Sequence, residues 1–143
     1  NFMEIDPVQL NANFQTNVMG FCYLSRLLAP AMVAAGKGVI IASGNTSALR
    51  GKANFAGFAP TKAAQRIFAE SMARELGPKG VHVAYVLIDA VIDLEWTREW
   101  FPDKPTEYFI QPDDIAETTY QIAHQPRSAW SFNVEVRPFG ENW

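Results

Sequence analysis

Continuous apolar runs mark the strands that this chain can form. Three consecutive β-branched residues occupy positions 39–41, and a second apolar run covers 81–87. Strands that are buried on both faces, as in parallel sheets, have runs of this kind. The segment 131–137 alternates apolar and polar residues, which is typical of a final strand. The pattern therefore predicts three parallel strands, near 38–43, 81–87 and 131–137.

Helical periodicity fills the sequence between these strands. Apolar residues recur at steps of three and four over 7–35 and over 57–76, which predicts two long helices. Asp6 and Gln9 suit a capping box at the start of the first helix, and Gly36 suits its end. Gly77 and the proline after it end the second helix. Strand, helix and strand in this order form the unit of a parallel sheet, so we expect both helices to flank it.

A shorter helix is predicted near the end of the chain. Pro112 suits its first position and the two aspartates that follow suit its first turn, while His124 precedes its end. His124 is expected to be a surface residue that complements the helix dipole.

Composition narrows the range of functions. With 143 residues, of which 48% are hydrophobic, the chain can bury the core of one domain. The net charge is −3 and the basic residues are scattered, which argues against a nucleic-acid partner. The single cysteine, Cys22, forms no internal disulfide and fits a reducing compartment. No uninterrupted apolar run approaches membrane-spanning length, so we expect a cytoplasmic protein without a membrane partner.

The residues after the first predicted strand carry a motif. Asn45 is followed by Phe58 thirteen positions later and by Lys62 after four more, and the helix ends in ARELGPKG. In its spacing and surroundings this segment resembles the catalytic half of the short-chain dehydrogenase/reductase family, in which serine, tyrosine and lysine occupy these three positions. Only the lysine is kept here.

The resemblance implies a fold and a cofactor. It implies an α/β fold: the C-terminal part of a Rossmann-like, doubly wound parallel sheet, with residues 1–143 as a single domain. The family's glycine-rich phosphate-binding loop matches nothing in this sequence and lies upstream of the matching segment. NAD or NADP is the implied cofactor, and the residue that distinguishes the two also lies upstream.

The resemblance also assigns roles to single residues. Lys62 would bind the ribose hydroxyls of the nicotinamide nucleotide, its alternative being a solvated helix-surface lysine. Asn45 would donate to a substrate carbonyl through its amide, or would serve only the turn after the strand. Phe58 occupies the position of the acidic tyrosine and has no proton to give. Asn17 would hold a water of the proton relay, or would bridge helices as a polar group.

The turn after the second strand departs from the family pattern. Ile88 and Asp89 stand where the family has proline and glycine, and Asp93 stands at the hydroxyl position that binds the nicotinamide carboxamide. We therefore expect Ile88, Asp89 and Asp93 to contact the cofactor. Asp89 or Asp93 is also a candidate replacement acid, provided that its pKa is raised.

Two functions of different classes follow from the resemblance. One is an NAD(P)-dependent oxidoreductase that transfers hydride to or from a carbonyl or alcohol. The other is a non-catalytic relative that binds dinucleotide or serves as a scaffold, which the loss of both serine and tyrosine favours. Residues 94–111 are rich in aromatic residues and form either an apolar substrate pocket or a packed loop. The family's dimer helices imply a homodimer or homotetramer, and no residues have metal-ligand spacing.

Overall fold

The structure is a computed structural model that describes residues 1–140. Its strands are β1 (Gly38–Gly44), β2 (Val81–Ile88), β3 (Val91–Ile92), β4 (Phe109–Ile110) and β5 (Asn133–Val136). Its α-helices are α1 (Pro7–Phe14), α2 (Gly20–Ala35), α3 (Ala59–Leu76), α4 (Glu95–Trp100) and α5 (Pro112–Ala123). His124 caps the end of α5, as the sequence predicts.

The main sheet confirms the predicted fold. Its three strands are all parallel and lie in the order β1-β2-β5, with Ile41 opposite Ala84 and Tyr85 opposite Asn133. Because β2 has a neighbour on each side and helices above and below, Val81 to Leu87 are all buried. β1 lies at the edge of this sheet, as expected. The architecture is the Rossmann-like α/β arrangement of parallel strands with flanking helices.

The first predicted helix is not a regular α-helix throughout. A π-turn over Gln15–Met19 separates α1 from α2, and the backbone N–H of Gly20 donates to the carbonyl of Gln15, five residues back. π-Turns of this kind widen a helix locally and are frequent at functional sites. This one contains Asn17. The sequence pattern did not predict the π-turn.

The helical segment Pro7–Ala35 is long and apolar enough, by length and composition alone, to cross a membrane. A search for uninterrupted apolar runs alone does not identify this segment, which occasional polar residues divide. Helices of soluble domains also reach this length and composition. The absence of a membrane partner therefore stays a prediction.

The buried face of α3 differs from the apolar stripe in its sequence. Its buried side chains include Thr61, Lys62 and Gln65, whereas Ile67 is 56% exposed. Polar groups thus face the sheet along the first two turns. The apolar stripe turns partly outward, where Phe68 packs edge to face on Phe21 of α2.

Most of the predicted helix ends are confirmed, with one correction. The Asp6 carboxylate accepts from the backbone N–H of Val8 at 2.8 Å and caps α1. The predicted capping box is wrong, because the Gln9 amide donates instead to Asn13. Gly36 ends α2 in the left-handed conformation, with φ of 62°.

A second glycine, Gly80, packs against Gly36 where the polypeptide enters β2. Gly80 has φ of 87°, and a Cβ at this position would overlap the carbonyl of Gly36. Alanine therefore meets both a left-handed backbone, which costs about 1–2 kcal/mol, and a backbone clash. We expect Gly80→Ala to lower the free energy of unfolding by at least about 2 kcal/mol. Urea denaturation measures this change in the free energy of unfolding.

The control for this substitution is Gly77→Ala. Gly77 has φ of −53° and an added Cβ meets nothing within 4 Å. We expect this variant to be unchanged or slightly more stable, because alanine restricts the unfolded chain. Equal effects of the two substitutions would show that the turn at Gly80 is not as described.

A small second sheet was not predicted. β3 and β4 pair in parallel, with Val91 opposite Phe109 and Ile92 opposite Ile110. Two-residue strands carry no periodicity from which a sequence pattern could identify them. Together, α4 and β4 give regular structure to parts of the aromatic segment 94–111.

Candidate active site

A cleft opens at the carboxyl ends of β1 and β2, where parallel sheets commonly bind ligands. It has a volume of about 300 Å³ and is lined by the loop after β1, the turn after β2 and Tyr108. Asn45, Ile88 and Asp89, three of the predicted site residues, meet there. A larger cavity of about 600 Å³ lies beside α5 and β5 but contains no residue of the motif. The smaller cleft is therefore the candidate site.

Lys62 lies beside the end of β1 and is not a solvated surface residue. Its side chain is buried, and its ammonium donates to the backbone carbonyl of Ser43 at 3.0 Å and to Gln65 Oε1 at 2.6 Å. Burial lowers the pKa of Lys62 below that of an ordinary lysine. An ammonium has three N–H donors, and within residues 1–140 two of them have acceptors. The third has no acceptor among these residues, and Lys62 itself is not among the residues that line the cleft.

Asn17 joins the π-turn to α3. Its amide donates to Thr61 Oγ1 at 2.9 Å, and its backbone carbonyl accepts from Gln65 Nε2 at 2.7 Å. The Thr61 hydroxyl in turn donates to the carbonyl of Phe58 at 2.8 Å. These contacts support the interpretation of Asn17 as an interhelical polar group. Its water-holding role stays a prediction.

Tyr85 lies beneath this group of polar side chains. It is fully buried in β2, and its hydroxyl lies 3.3 Å from Gln65 Oε1 and 3.5 Å from the carbonyl of Lys62. Burial raises the pKa of Tyr85 to about 12. The phenol is therefore neutral at physiological pH and acts as a hydrogen-bond donor.

Phe58 immediately precedes α3 and is half-buried. Its backbone carbonyl accepts from Thr61, but its ring is not among the groups that line the cleft, whereas Phe55 is. The family resemblance implies a ring that faces the cleft beside Lys62, and this orientation stays a prediction. A phenyl ring at this position supplies no proton in any orientation.

Asn45 serves the turn after β1 and also lines the cleft. Its side-chain oxygen accepts from the backbone N–H of Ser47 at 3.0 Å and caps the short helical turn Thr46–Ala48. Because the oxygen is used in this way, the NH₂ group is the part of the amide that can donate to a ligand. Both interpretations of Asn45 are compatible with this geometry.

The two aspartates after β2 have different surroundings. Asp93 binds Arg98 through both carboxylate oxygens, at 2.6 and 2.7 Å, and accepts from Gln111 at 2.8 Å. The Arg98 and Gln111 hydrogen bonds lower the pKa of Asp93 to about 2. Asp93 is thus ionised at neutral pH and cannot be the replacement acid. Asp89 lines the cleft and lies 3.8 Å from Arg137.

The aromatic segment 94–111 is partly packed and partly exposed, with Trp96 and Trp100 at 49% and 69% exposure. Trp96 and Trp100 stack edge to face along α4 with ring centroids 4.7 Å apart, and Phe109 is buried beneath Arg98. Of the segment's aromatic residues, Tyr108 lines the cleft. An aromatic substrate pocket built from the whole segment is therefore not formed.

Sequence reasoning missed four residues of the site. Gln65 and Tyr85 complete the polar group around Lys62, and Arg50 and Lys52 line the cleft. One signal was present for Gln65: it lies three residues after Lys62 and four after Thr61, so all three share one face of α3. Tyr85 sits in an apolar run and gave no such signal.

Known proteins resemble the chain in sequence and in fold. The chain is 31% identical over 125 residues to the 7alpha-hydroxysteroid dehydrogenase of Escherichia coli (strain K12), covering 82% of this chain and 49% of that protein. A short-chain dehydrogenase from Rhodopseudomonas palustris superimposes with a TM-score of 0.78 at 33% identity, over 96% of this chain and 56% of that one.

A metagenomic short-chain oxidoreductase in complex with NADP superimposes with a TM-score of 0.77 at 26% identity, over 98% of this chain and 56% of that one. The chain thus spans about half the length of the curated relatives it matches.

The family assignment rests on a family model that matches most of the chain, together with the fold. The family model described as short chain dehydrogenase matches residues 1–103, a region that contains β1, α3, β2 and all the residues that line the cleft except Tyr108. The parallel sheet and the buried lysine of α3 agree with this match. The chain therefore belongs to the short-chain dehydrogenase family.

Proposed function

We propose that the protein containing this chain is an NAD- or NADP-dependent oxidoreductase acting on a small carbonyl or alcohol substrate. The observation that carries the proposal is the Lys62 ammonium, which is held at the carboxyl end of β1 with one N–H group unused. The cleft beside Asn45, Ile88 and Asp89 opens at the same end of the sheet. The metagenomic relative in complex with NADP supports the choice of cofactor.

The residues present fit one end of a nicotinamide nucleotide. Lys62 offers a charged donor that suits ribose hydroxyls, and Ile88 and Asp89 form the wall of the cleft beyond it. Asp93, although predicted to contact the carboxamide, is already engaged by Arg98 and Gln111. The nicotinamide, when bound, supplies or accepts the hydride. The chain's own residues bind and orient the reactants.

Substrate binding is assigned to the same cleft. The Asn45 amide can donate to a carbonyl oxygen, and the rings of Phe55 and Tyr108 give the cleft an apolar part. Arg50 and Lys52 add positive charge to its lining. We retain a small carbonyl or alcohol with an apolar portion as the expected substrate class.

A second candidate is a relative that binds dinucleotide without catalysis. Phe58 favours it, because general acid catalysis contributes about 10²–10⁴-fold to a rate and a phenyl ring contributes none. In this case Lys62 and the cleft would still bind nucleotide. The two candidates differ in turnover and not in binding.

Nucleotide titration tests both candidates. The protein that contains this chain is titrated with NADH and NADPH, and binding is followed by nicotinamide fluorescence. We expect Lys62→Met to weaken binding at least about tenfold, because a hydrogen bond to a charged group contributes about 1.5–3 kcal/mol. Lys79→Met is the control, since Lys79 is an exposed partner of Glu75 outside the cleft.

The outcomes separate the candidates. Binding together with oxidation of NADH or NADPH by ketones or aldehydes supports the oxidoreductase, and binding without turnover supports the second candidate. No binding of either nucleotide, or equal loss in the two lysine variants, would contradict both.

We also propose that the protein self-associates through α2 and α3 as a homodimer or homotetramer. Tyr23, Leu24 and Leu27 of α2 are each more than half exposed, as is Ile67 of α3. Contiguous exposed apolar side chains of this kind commonly mark an interface. Sedimentation at tens of micromolar tests this, and a clean monomer would contradict it. A cytoplasmic location stays a prediction.

A further inference from the structure

Gln65 occupies the centre of the buried polar group around Lys62. Its Oε1 accepts from the Lys62 ammonium at 2.6 Å, and its Nε2 donates to the backbone carbonyl of Asn17 at 2.7 Å. The Tyr85 hydroxyl lies 3.3 Å from the same Oε1. Gln65 is 9% exposed, so solvent does little to satisfy its amide. Both the oxygen and the nitrogen of that amide therefore form hydrogen bonds within the protein.

The π-turn brings the Asn17 carbonyl to this position. Thr61 and Gln65 lie four residues apart and therefore on one face of α3. The Thr61 hydroxyl accepts from the Asn17 side-chain amide, and the Gln65 amide donates to the backbone carbonyl of Asn17. The contact from Gln65 continues to Lys62 on the same helix. A continuous chain of hydrogen bonds thus joins the π-turn to the ammonium.

A buried ammonium needs acceptors, because unpaired buried charge is costly. Within residues 1–140 Lys62 has two, the Ser43 carbonyl and Gln65 Oε1, and the second is the shorter contact. Gln65 therefore fixes the position of Lys62 through one of its three N–H groups.

We propose that Gln65 is a positioning residue, which joins the Lys62 ammonium to the backbone of the π-turn and holds it charged at the carboxyl end of β1. Lys62 is then a donor held in a fixed position toward a ligand. This deepens the proposed function and rests on it for the identity of that ligand.

Because the groups around Lys62 are neutral, the pKa of Lys62 is a suitable readout of a change at Gln65. β1 and the π-turn present only the neutral groups of Ser43 and Asn17, and β2 presents Tyr85, whose pKa of about 12 keeps it neutral. The next charged residue on α3, Arg66, pairs with Glu70. Burial is the cause that lowers the pKa of Lys62. A change at Gln65 therefore acts on Lys62 without competing ion pairs.

The experiment measures the pKa of Lys62 by competitive acetylation and peptide mass spectrometry between about pH 7 and pH 11, around the ordinary lysine pKa of about 10.4. It compares the parent with Gln65→Met and Gln65→Glu. Gln65→Met removes an acceptor of the ammonium and is expected to lower the pKa by about one unit, which is tenfold in the amine fraction. Gln65→Glu adds an opposite charge and is expected to raise it by about one unit.

Gln125→Met is the matched control. The Gln125 amide also makes two hydrogen bonds, both to Ser131, and lies outside the Lys62 group. We expect no change in the pKa of Lys62 in this variant. A purely structural role of Gln65 would instead leave the pKa unchanged in every variant, or would shift it equally in the two methionine variants, and either result overturns the proposal. If Gln65→Met does not fold, the nearly isosteric Gln65→Glu decides alone, and no rise in the pKa overturns it.

A second readout is the affinity for NADH and NADPH. We expect the Gln65→Met variant to bind the nucleotide about tenfold more weakly than the parent does. An unchanged affinity would show that Gln65 does not position Lys62 for this ligand. If the parent binds neither nucleotide, the proposed function fails, while the acetylation data still decide whether Gln65 positions Lys62.

Discussion

Replacing Phe58 by tyrosine and Asn45 by serine is expected to raise dinucleotide-dependent carbonyl reduction at least about tenfold, the low end of the range for general acids. Phe58 lies at the start of α3, one turn before Lys62, and we take its ring to face the ammonium, so that a phenol adds a hydroxyl close to it. The ammonium favours the phenolate and lowers the pKa of the new group. Steady-state oxidation of NADH and NADPH with a panel of apolar ketones and aldehydes measures the effect.

The control is Phe2→Tyr, which adds the same hydroxyl to an exposed ring that does not line the cleft. We expect no rate increase in this variant, because it lies outside the motif. A double variant that binds cofactor but turns over no faster than the parent would show that residue 58 does not face the reacting carbonyl. If the parent is already fast, Asp89 becomes the first candidate acid, because Asp93 is held ionised by Arg98.

The main fold could be predicted because its signals are local and strong. The runs at 39–41 and 81–87 are apolar without interruption, and glycines mark the ends of α2 and α3. Parallel pairing follows once a helix lies between two such strands. The pairing of β3 with β4 could not be predicted, since two residues per strand leave no pattern and the partners are set by tertiary packing.

The site was less predictable because its buried residues are polar and charged types that are usually exposed. A lysine and a glutamine side by side on α3 indicate a solvated face, and their burial is understood only when Ser43 and Asn17 are seen as their partners. These partners are backbone carbonyls, which have no residue signature. The π-turn that presents one of them also has none. The family resemblance indicated Lys62, whereas the contact between Gln65 and Lys62 is seen only in the structure.

Tyr85→Ala is expected to lower the free energy of unfolding by about 3–5 kcal/mol, the range for removing a buried aromatic ring. Tyr85 is fully buried in the central strand and packs in the core with residues of β1 and α3. Its hydroxyl fills the space above Gly44, where a Cβ would overlap it. Because small domains are stable by only about 5–15 kcal/mol, such a loss removes a large share of the total. Urea denaturation followed by far-UV circular dichroism measures it.

Tyr85→Phe separates the ring from its hydroxyl. It keeps the packing and loses two long contacts, at 3.3 Å to Gln65 and 3.5 Å to the carbonyl of Lys62, so we expect a cost of at most about 1 kcal/mol. The difference between the two variants then measures the cavity left by the ring. Equal destabilisation by alanine and phenylalanine would instead mean that the hydroxyl contacts dominate, and that the polar group around Lys62 stabilises the sheet more than the packing of β2 does.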